Sequence, residues 1–264
     1  MTTLRLLRLY IRLLGAHMRS LLEYENDFWI MMAGTVLMQV VNVAFLAAIF
    51  AKVPAINGWS FWAVVAMFAM VAIAEGVGSL FFEGMWNLAW QINQADLDYM
   101  LVRPYPIVLQ VSSMQIGING LSNIVTGGIM LGAALTHIDA HWTPARVVLG
   151  IVVLLSAIVI KVAINLATNA ASFWMQSPSP LFAFAVHQAG DLARFPLSVY
   201  PLALKATLGF ALPFAFVSFF PVSYILGHGS AWVGLLTPLV AVYCVAVAAW
   251  VFKRGLRRYE SSGS

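Results

Sequence analysis

Long uncharged stretches alternate with short charged islands along the chain. The uncharged stretches are about 20 to 28 residues long, and a helix needs roughly 20 apolar residues to cross a bilayer. Their apolar residues are continuous rather than alternating, and each stretch exceeds the roughly 10 residues of a transmembrane strand. The pattern therefore predicts an all-α integral membrane protein that crosses the bilayer several times.

The stretches predict six transmembrane helices within a single domain, residues 1–264. Five of the spans have clear positions: 28–51, 59–82, 107–135, 147–171 and 232–252. The charged island at 83–106 separates the second span from the third.

The fifth span has two alternative positions. Hydropathy alone favours 206–226, which leaves 173–205 as a loop. The alternative is 180–195, and 196–226 then becomes a re-entrant segment that enters the membrane and returns. Because proline removes a backbone donor, a re-entrant segment accounts for the four prolines in that stretch: Pro196, Pro201, Pro213 and Pro221.

Residues 1–27 predict an amphipathic helix that lies in the membrane interface. At 100° per residue, four arginines fall within about 60° of one another, and leucines take much of the remaining surface. Such a helix directs its apolar face to lipid and its cations to anionic headgroups. The arginines are Arg5, Arg8, Arg12 and Arg19.

Composition and charge agree with a membrane protein. Only 9% of the residues are charged, whereas a soluble domain is about a quarter charged. The net charge of +4 does not indicate nucleic-acid binding, because the basic residues flank the predicted spans. With either fifth span, most of them lie on the same side as the two termini, and the positive-inside rule makes that side cytoplasmic.

The sequence contains no motif for catalysis or for nucleotide binding. It lacks the G-x-x-x-x-G-K-[ST] phosphate loop, the G-x-S-x-G elbow and the H-E-x-x-H zinc motif. We therefore expect no enzymatic activity and no bound cofactor, and any ATP and Mg²⁺ would be held by another chain. His137, Asp139 and His141 alternate in "HIDAHW", but polar loops often carry such residues, and we expect no metal site.

Two charged residues lie inside predicted spans, Glu75 in the second and Lys161 in the fourth. A charge inside a span costs on the order of 3 kcal/mol, so it usually faces protein or water and often finds a partner. The two spans run in the same direction, and both charges lie about 14 to 16 residues from the outer end. We expect them to pair or to line a translocation path jointly, with His187, Asp191 and Arg194 as further candidates.

The island contains "INQADLDYMLVRPYP", which resembles the cytoplasmic loop of type-2 permeases of ATP-binding-cassette (ABC) exporters. The resemblance is to a branch with an Ile-x-x-x-x-Leu-Asp-x-x-Leu-x-Arg-Pro pattern at this place. "ARFPLSVYP", "LPFAFVSFFP" and "GLRRYESSGS" resemble other stretches of that branch. The resemblance covers nearly the whole chain.

The resemblance implies an interfacial N-terminal helix, a coupling helix between spans two and three that docks on an ATPase subunit, and re-entrant helices after the fifth span. Residues 83–106 would then be a cytoplasmic coupling loop with an apolar face rimmed by charge, as a docking helix needs. The simpler interpretation is a solvated loop with interfacial tryptophans. The candidate coupling residues are Glu83, Trp86, Trp90, Asp96, Asp98 and Arg103.

The sequence and the resemblance together predict a permease subunit in the bacterial cytoplasmic (inner) membrane. Its partners would be an ABC ATPase, a second permease in a homo- or heterodimer and the lipid bilayer, and its substrate an amphipathic drug, lipid or antibiotic. The main alternative is a secondary transporter that carries protons on Glu75 and His187. A membrane enzyme is disfavoured, because no cluster of polar residues marks one membrane face.

Overall fold

The computed structural model describes residues 3–23, 25–138, 143–227 and 231–260. Within these ranges the chain is helical, with one isolated β-bridge between Ile56 and Trp59. The α-helices are α1 (Thr3–Leu22), α2 (Glu25–Phe50), α3 (Phe61–Phe82), α4 (Leu88–Asn93), α5 (Asp96–Leu101), α6 (Ile107–Ser112), α7 (Asn119–His137), α8 (Pro144–Ala170), α9 (Leu181–Asp191), α10 (Leu202–Ala206), α11 (Phe219–Leu226) and α12 (Thr237–Leu256).

Four helical segments in the described ranges are long and apolar enough to cross a membrane. They are Glu25–Phe50, Phe61–Asn93, Pro144–Trp174 and Trp232–Leu256. They coincide with the first, second, fourth and last predicted spans, so the all-helical membrane fold is confirmed. The remaining two predicted crossings fall on helices that are shorter or more polar.

The segment predicted as the third span, 107–135, is divided into two helices and is not one continuous helix. Helix α6 ends at Ser112 and α7 begins only at Asn119. The end of α3 holds the chain at this break, because the Gly117 N–H donates to the Ser79 carbonyl at 3.0 Å. Gly84 lies so close to the Val111 carbonyl that a Cβ would clash with it. Irregular backbone is tolerated here since protein covers it.

Helix α3 forms the centre of the bundle. Every residue from Ala63 to Ala74 is buried, and α7, α8 and α11 pack against this helix. Helix α12 packs on the outer side of α8. Small residues let α3 and α7 approach closely, as is common between membrane helices: Gly76, Gly120 and Gly127 each leave no room for a Cβ.

Helix α1 has three faces. Tyr10 and Leu14 are buried against protein, and the Tyr10 hydroxyl donates to the Phe81 carbonyl at the end of α3. Leu4, Leu7 and Ile11 form an exposed apolar face, and the four arginines lie on a third, exposed face. The predicted amphipathic helix is present, and part of its surface packs on the protein itself.

Helix α9 and the turn that follows it extend along the length of α3. Just before α9 begins, the Pro178 carbonyl accepts a hydrogen bond from the Asn93 amide at 3.1 Å, beyond the C-terminal end of α3. After α9, the Ser198 carbonyl accepts a hydrogen bond from the Asn57 amide at 3.3 Å, just before α3 begins. These contacts lie at opposite ends of α3, so residues 178–198 extend over its whole length.

Residues 196–226 then turn inward and come back. The Phe214 ring lies 5.3 Å from Lys161 Nζ, in the middle of α8. Five residues later, the Phe219 ring is 5.2 Å from the Trp59 ring, before the start of α3. The alternative fifth span at 206–226 is not a continuous helix, because a π-helical turn ends at Ala211 and a 3₁₀ turn follows.

The packing of α3 on α7 can be tested with two glycines of α7. A Cβ at Gly120 would lie 2.5 Å from the Gly76 carbonyl oxygen, whereas a Cβ at Gly128 would meet no atom within 4 Å. Gly120→Ala should lower the free energy of unfolding by about 1–3 kcal/mol through overpacking. Gly128→Ala should leave it unchanged or raise it by up to about 1 kcal/mol. Thermal melts in detergent measure both, and equal melting temperatures would contradict the close approach.

Candidate functional site

A buried ion pair joins α3 to α8 in the middle of the bundle. Lys161 Nζ lies 2.9 Å from Glu75 Oε2, and the two side chains are 7% and 23% exposed. The contact expected from their matching depths is therefore present. In a low-dielectric environment each charge removes much of the cost of burying the other.

Helix α9 contributes a third polar group to this pair. His187 Nε2 lies 3.7 Å from Glu75 Oε1, so the carboxylate lies between an ammonium and an imidazole. We call Glu75, Lys161 and His187 the charge cluster. It connects three helices, α3, α8 and α9, at one point.

Aromatic rings enclose the charge cluster. The Trp86 ring meets the His187 ring edge to face at 5.1 Å, and the Phe214 ring faces Lys161. A cation over an aromatic face gains about 0.5–2 kcal/mol, more when it is desolvated. The two clefts beside the cluster have volumes of about 10 Å³ each, about the space of one water. Neither cleft could hold a substrate, so in the described residues the cluster connects the helices and does not enclose a binding cavity.

Asp191 and Arg194 form a separate pair further along the same segment. Their side chains are 2.9 Å apart and three residues apart in sequence. This ion pair connects residues of one segment only. Its local character favours a structural role at the end of α9.

The charge cluster predicts a specific pattern in a double-mutant cycle. Glu75→Gln or Lys161→Met alone leaves an uncompensated buried charge, which costs about 3–5 kcal/mol. The double variant should be more stable than the sum of the two single effects predicts.

Detergent melts of the four proteins measure this coupling. Lys253→Met is the matched control, because Lys253 is exposed near the end of α12. Additive effects of the two substitutions would contradict the pairing.

The segment after α3 contains several short helices. A 3₁₀ turn, Glu83–Asn87, leads into α4, and α5 follows after Ala95. Ala95 has φ of 59°, a left-handed conformation that costs a non-glycine residue roughly 1–2 kcal/mol. We call residues 83–102 the coupling segment. At its start, Glu83 Oε2 accepts the Ser79 hydroxyl at 2.7 Å, and this bond ties the segment to α3.

The coupling segment has a buried and an exposed side. Leu88, Leu97 and Met100 are 0–4% exposed and anchor it to the bundle. On the other side, large apolar side chains are exposed, and no other part of the described residues covers them. We call these four residues the apolar surface: Trp90 at 57%, Tyr99 at 71%, Leu101 at 49% and Val102 at 82%. Trp86 and Trp90 therefore face different environments, although the sequence placed them together.

The acidic residues of the coupling segment lie beside the C-terminal tail. Asp96 and Asp98 are in the first turn of α5, where carboxylates stabilise the helix dipole. Burial, together with the nearby carboxylates of Asp98 and Asp96, raises the pKa of Tyr259 to about 12. The Tyr259 ring also packs against Phe173 at 6.4 Å. The tail, the end of α8 and the coupling segment thus meet at one place.

Arg103 directly follows the apolar surface in the sequence. It is exposed, and it lines a cavity beneath α1. None of the other predicted coupling residues is among the residues that line this cavity.

Some contacts of the site were not predicted from the sequence. The Trp86–His187 contact joins residues 101 positions apart, and no spacing indicates it. Phe214 is 2% exposed while Phe210 is 85% exposed, and no spacing in the sequence distinguishes the two rings. One sequence signal could have indicated a role for Trp86: it follows shortly after the end of α3, a membrane helix that contains a charged residue.

Of the three candidate ligands in "HIDAHW", the structure describes only His137. Asp139 and His141 lie outside the described ranges. The His137 ring stacks on Trp62 at 4.0 Å. Among the described residues, no group of three or more histidine, cysteine or acidic side chains could hold a metal ion.

Comparison with known proteins identifies the family. The family model of the ABC-2 family transporter protein matches residues 36–263, and the chain belongs to this family. It is thus an ABC permease, a membrane subunit of a transporter, as the resemblance implied. No curated protein and no solved structure matched the chain.

Proposed function

We propose that this chain is the permease subunit of an ATP-driven exporter and that its coupling segment docks on a separate ATPase subunit. The observation that carries the proposal is the position of Trp86. It contacts the charge cluster within the bundle, and the apolar surface lies further along the same segment. One short segment thus links an exposed docking surface to the buried core.

The apolar surface suits a protein partner. Exposed clusters of large apolar side chains mark interaction sites on proteins, and aromatic residues such as Trp90 and Tyr99 are enriched at interfaces. Asp96 and Asp98 lie beside this surface and are only partly buried. A basic partner surface would therefore match it in charge.

The contacts of α9 support a topology with six crossings. Residues 178–198 extend over the length of α3, which supports a fifth crossing at 180–195. Residues 196–226 reach the depth of Lys161 at Phe214 and return to Trp59 at Phe219, which supports the re-entrant segment. Both termini then lie in the cytoplasm, on the side of the coupling segment.

The proposed mechanism transmits motion from the ATPase into the membrane. ATP and Mg²⁺ bind the partner, and closure of two ATPase subunits moves the coupling segment. Trp86 carries this displacement to His187, and the charge cluster passes it to α3, α8 and α9. These helices move together because separating the charges in a dry environment is costly. The path for the substrate then opens towards the outside.

A second permease would complete the transport path. Helix α2 has only two buried residues, Gln39 and Leu46, and most of its other side chains are exposed. This surface suits either lipid or a second permease, in a homo- or heterodimer. The aromatic residues and the few charges of the chain favour an amphipathic substrate, such as a drug, lipid or antibiotic, and the membrane would be the bacterial inner membrane.

One observation favours the alternative of a proton-coupled secondary transporter. His187 and Glu75 lie 3.7 Å apart, so a proton could pass between them. Membership of the ABC-2 family favours the ATP-driven mechanism. The two functions differ in their partner, because only the first needs an ATPase.

A pull-down of the tagged chain from its native membrane in mild detergent tests the proposal. Mass spectrometry should find a nucleotide-binding ATPase with the wild type. Asp96→Lys with Asp98→Lys should remove the ATPase, because charge reversal repels a basic partner. Trp90→Ala with Tyr99→Ala should weaken the association while leaving both carboxylates in place.

Lys52→Glu is the matched control, because it reverses an exposed charge in the loop between α2 and α3. It should retain the ATPase. If the wild-type chain came down alone even after crosslinking, the docking proposal would fail and the proton-coupled alternative would lead.

A further inference from the structure

A cavity of about 500 Å³ lies between α1 and the segment that leads from α5 into α6. Leu9, Leu13 and His17 of α1 form one wall, and Arg103, Tyr105 and Gln110 lie on the other. Its volume is within the range of about 300–1,000 Å³ typical of small-molecule sites. The coupling mechanism does not use this cavity.

Several polar atoms of the cavity have no partner within the protein. Gln110 is 5% exposed, and its amide nitrogen donates to the carbonyls of Met100 and Tyr105. Its Oε1, the Tyr105 hydroxyl and His17 Nδ1 are buried without a hydrogen bond in the structure. Each such group costs about 1–3 kcal/mol unless a ligand or water satisfies it. The Tyr105 hydroxyl can donate to an anion, whereas Gln110 Oε1 only accepts and needs a donor such as water or a ligand hydroxyl.

The charge of the cavity favours an anion. Arg103 lies on its wall, and no carboxylate is among the described side chains that line it. Burial raises the pKa of Tyr105 above its ordinary value, so its hydroxyl remains a hydrogen-bond donor at neutral pH. A guanidinium with neighbouring donors is a strong binder of phosphate oxygens.

The opposite wall of the cavity is apolar. Leu9 and Leu13 lie on the side of α1 that faces the protein, and Met100 and Met114 lie across from them. An occupant with a phosphate group at one end and hydrocarbon at the other would satisfy both walls. A bilayer supplies such a molecule at the interface where α1 lies.

We propose that this cavity binds an anionic phospholipid of the cytoplasmic leaflet, with its phosphate at Arg103 and its acyl chains along Leu9 and Leu13. The bound lipid would fasten α1 to the residues that directly follow the coupling segment. The proposal rests on the proposed interfacial position of α1 and is independent of ATPase docking.

Native mass spectrometry of the purified chain tests this site without the ATPase. The probes are phosphatidylglycerol, phosphatidylcholine and inorganic phosphate, each added to delipidated protein. The wild type should retain phosphatidylglycerol in preference to phosphatidylcholine, and inorganic phosphate should not displace it. Arg103→Gln should weaken phosphatidylglycerol binding by about tenfold, the value of one strong charge-assisted contact.

Two further variants separate binding from folding and from net charge. Leu13→Trp should fill the cavity and block the lipid while Arg103 remains in place. Arg257→Gln removes an exposed cation of the tail that does not line the cavity, and its binding should equal that of the wild type. Melting curves without lipid show which variants are folded.

Three results would overturn the proposal. One is equal phosphatidylglycerol binding by Arg103→Gln and Arg257→Gln, which would indicate attraction by net charge alone. Another is full binding by folded Leu13→Trp. The third is displacement of the lipid by inorganic phosphate, which would make the cavity a site for free anions.

Discussion

The buried ion pair between Lys161 and Glu75 constrains the whole bundle. A single charge among apolar helices is costly, and an ion pair limits that cost only while its members stay in contact. The 2.9 Å contact therefore fixes the register of α3 against α8. His187 places α9 in contact with the same pair. A displacement of any one of the three helices would therefore change its contacts with the other two.

This constraint gives the coupling segment its importance. Trp86 contacts His187 of the charge cluster, and the apolar surface lies further along the same segment. The segment is anchored by buried leucines and by the bond between Glu83 and Ser79. An element with a buried and an exposed end suits the docking role proposed for it. The rings of Trp86 and Phe214 pack beside the charges, and less polar surroundings strengthen the attraction between charges.

The sequence was sufficient to predict the features that depend on local composition. Uncharged stretches predict the spanning helices and arginine spacing predicts α1. The matched depth of Glu75 and Lys161 indicated either a pair or a shared path, and the structure shows the contact. It did not predict the break between α6 and α7, because that break depends on a backbone hydrogen bond from Gly117 to Ser79. Nor did it predict the path of 196–226, which depends on ring contacts with Lys161 and Trp59. Tertiary contacts of this kind have no periodicity in the sequence.

The most direct measurement compares Trp86→Ala with wild type in proteoliposomes that contain the ATPase complex. ATP hydrolysis and transport of a fluorescent amphipathic dye are followed in the same vesicles, with the proton gradient collapsed by an uncoupler. Trp250→Ala is the control, because Trp250 is 64% exposed on α12. The expected result is continued hydrolysis by Trp86→Ala with several-fold less dye moved per ATP. An unchanged ratio of dye to ATP would contradict transmission through Trp86.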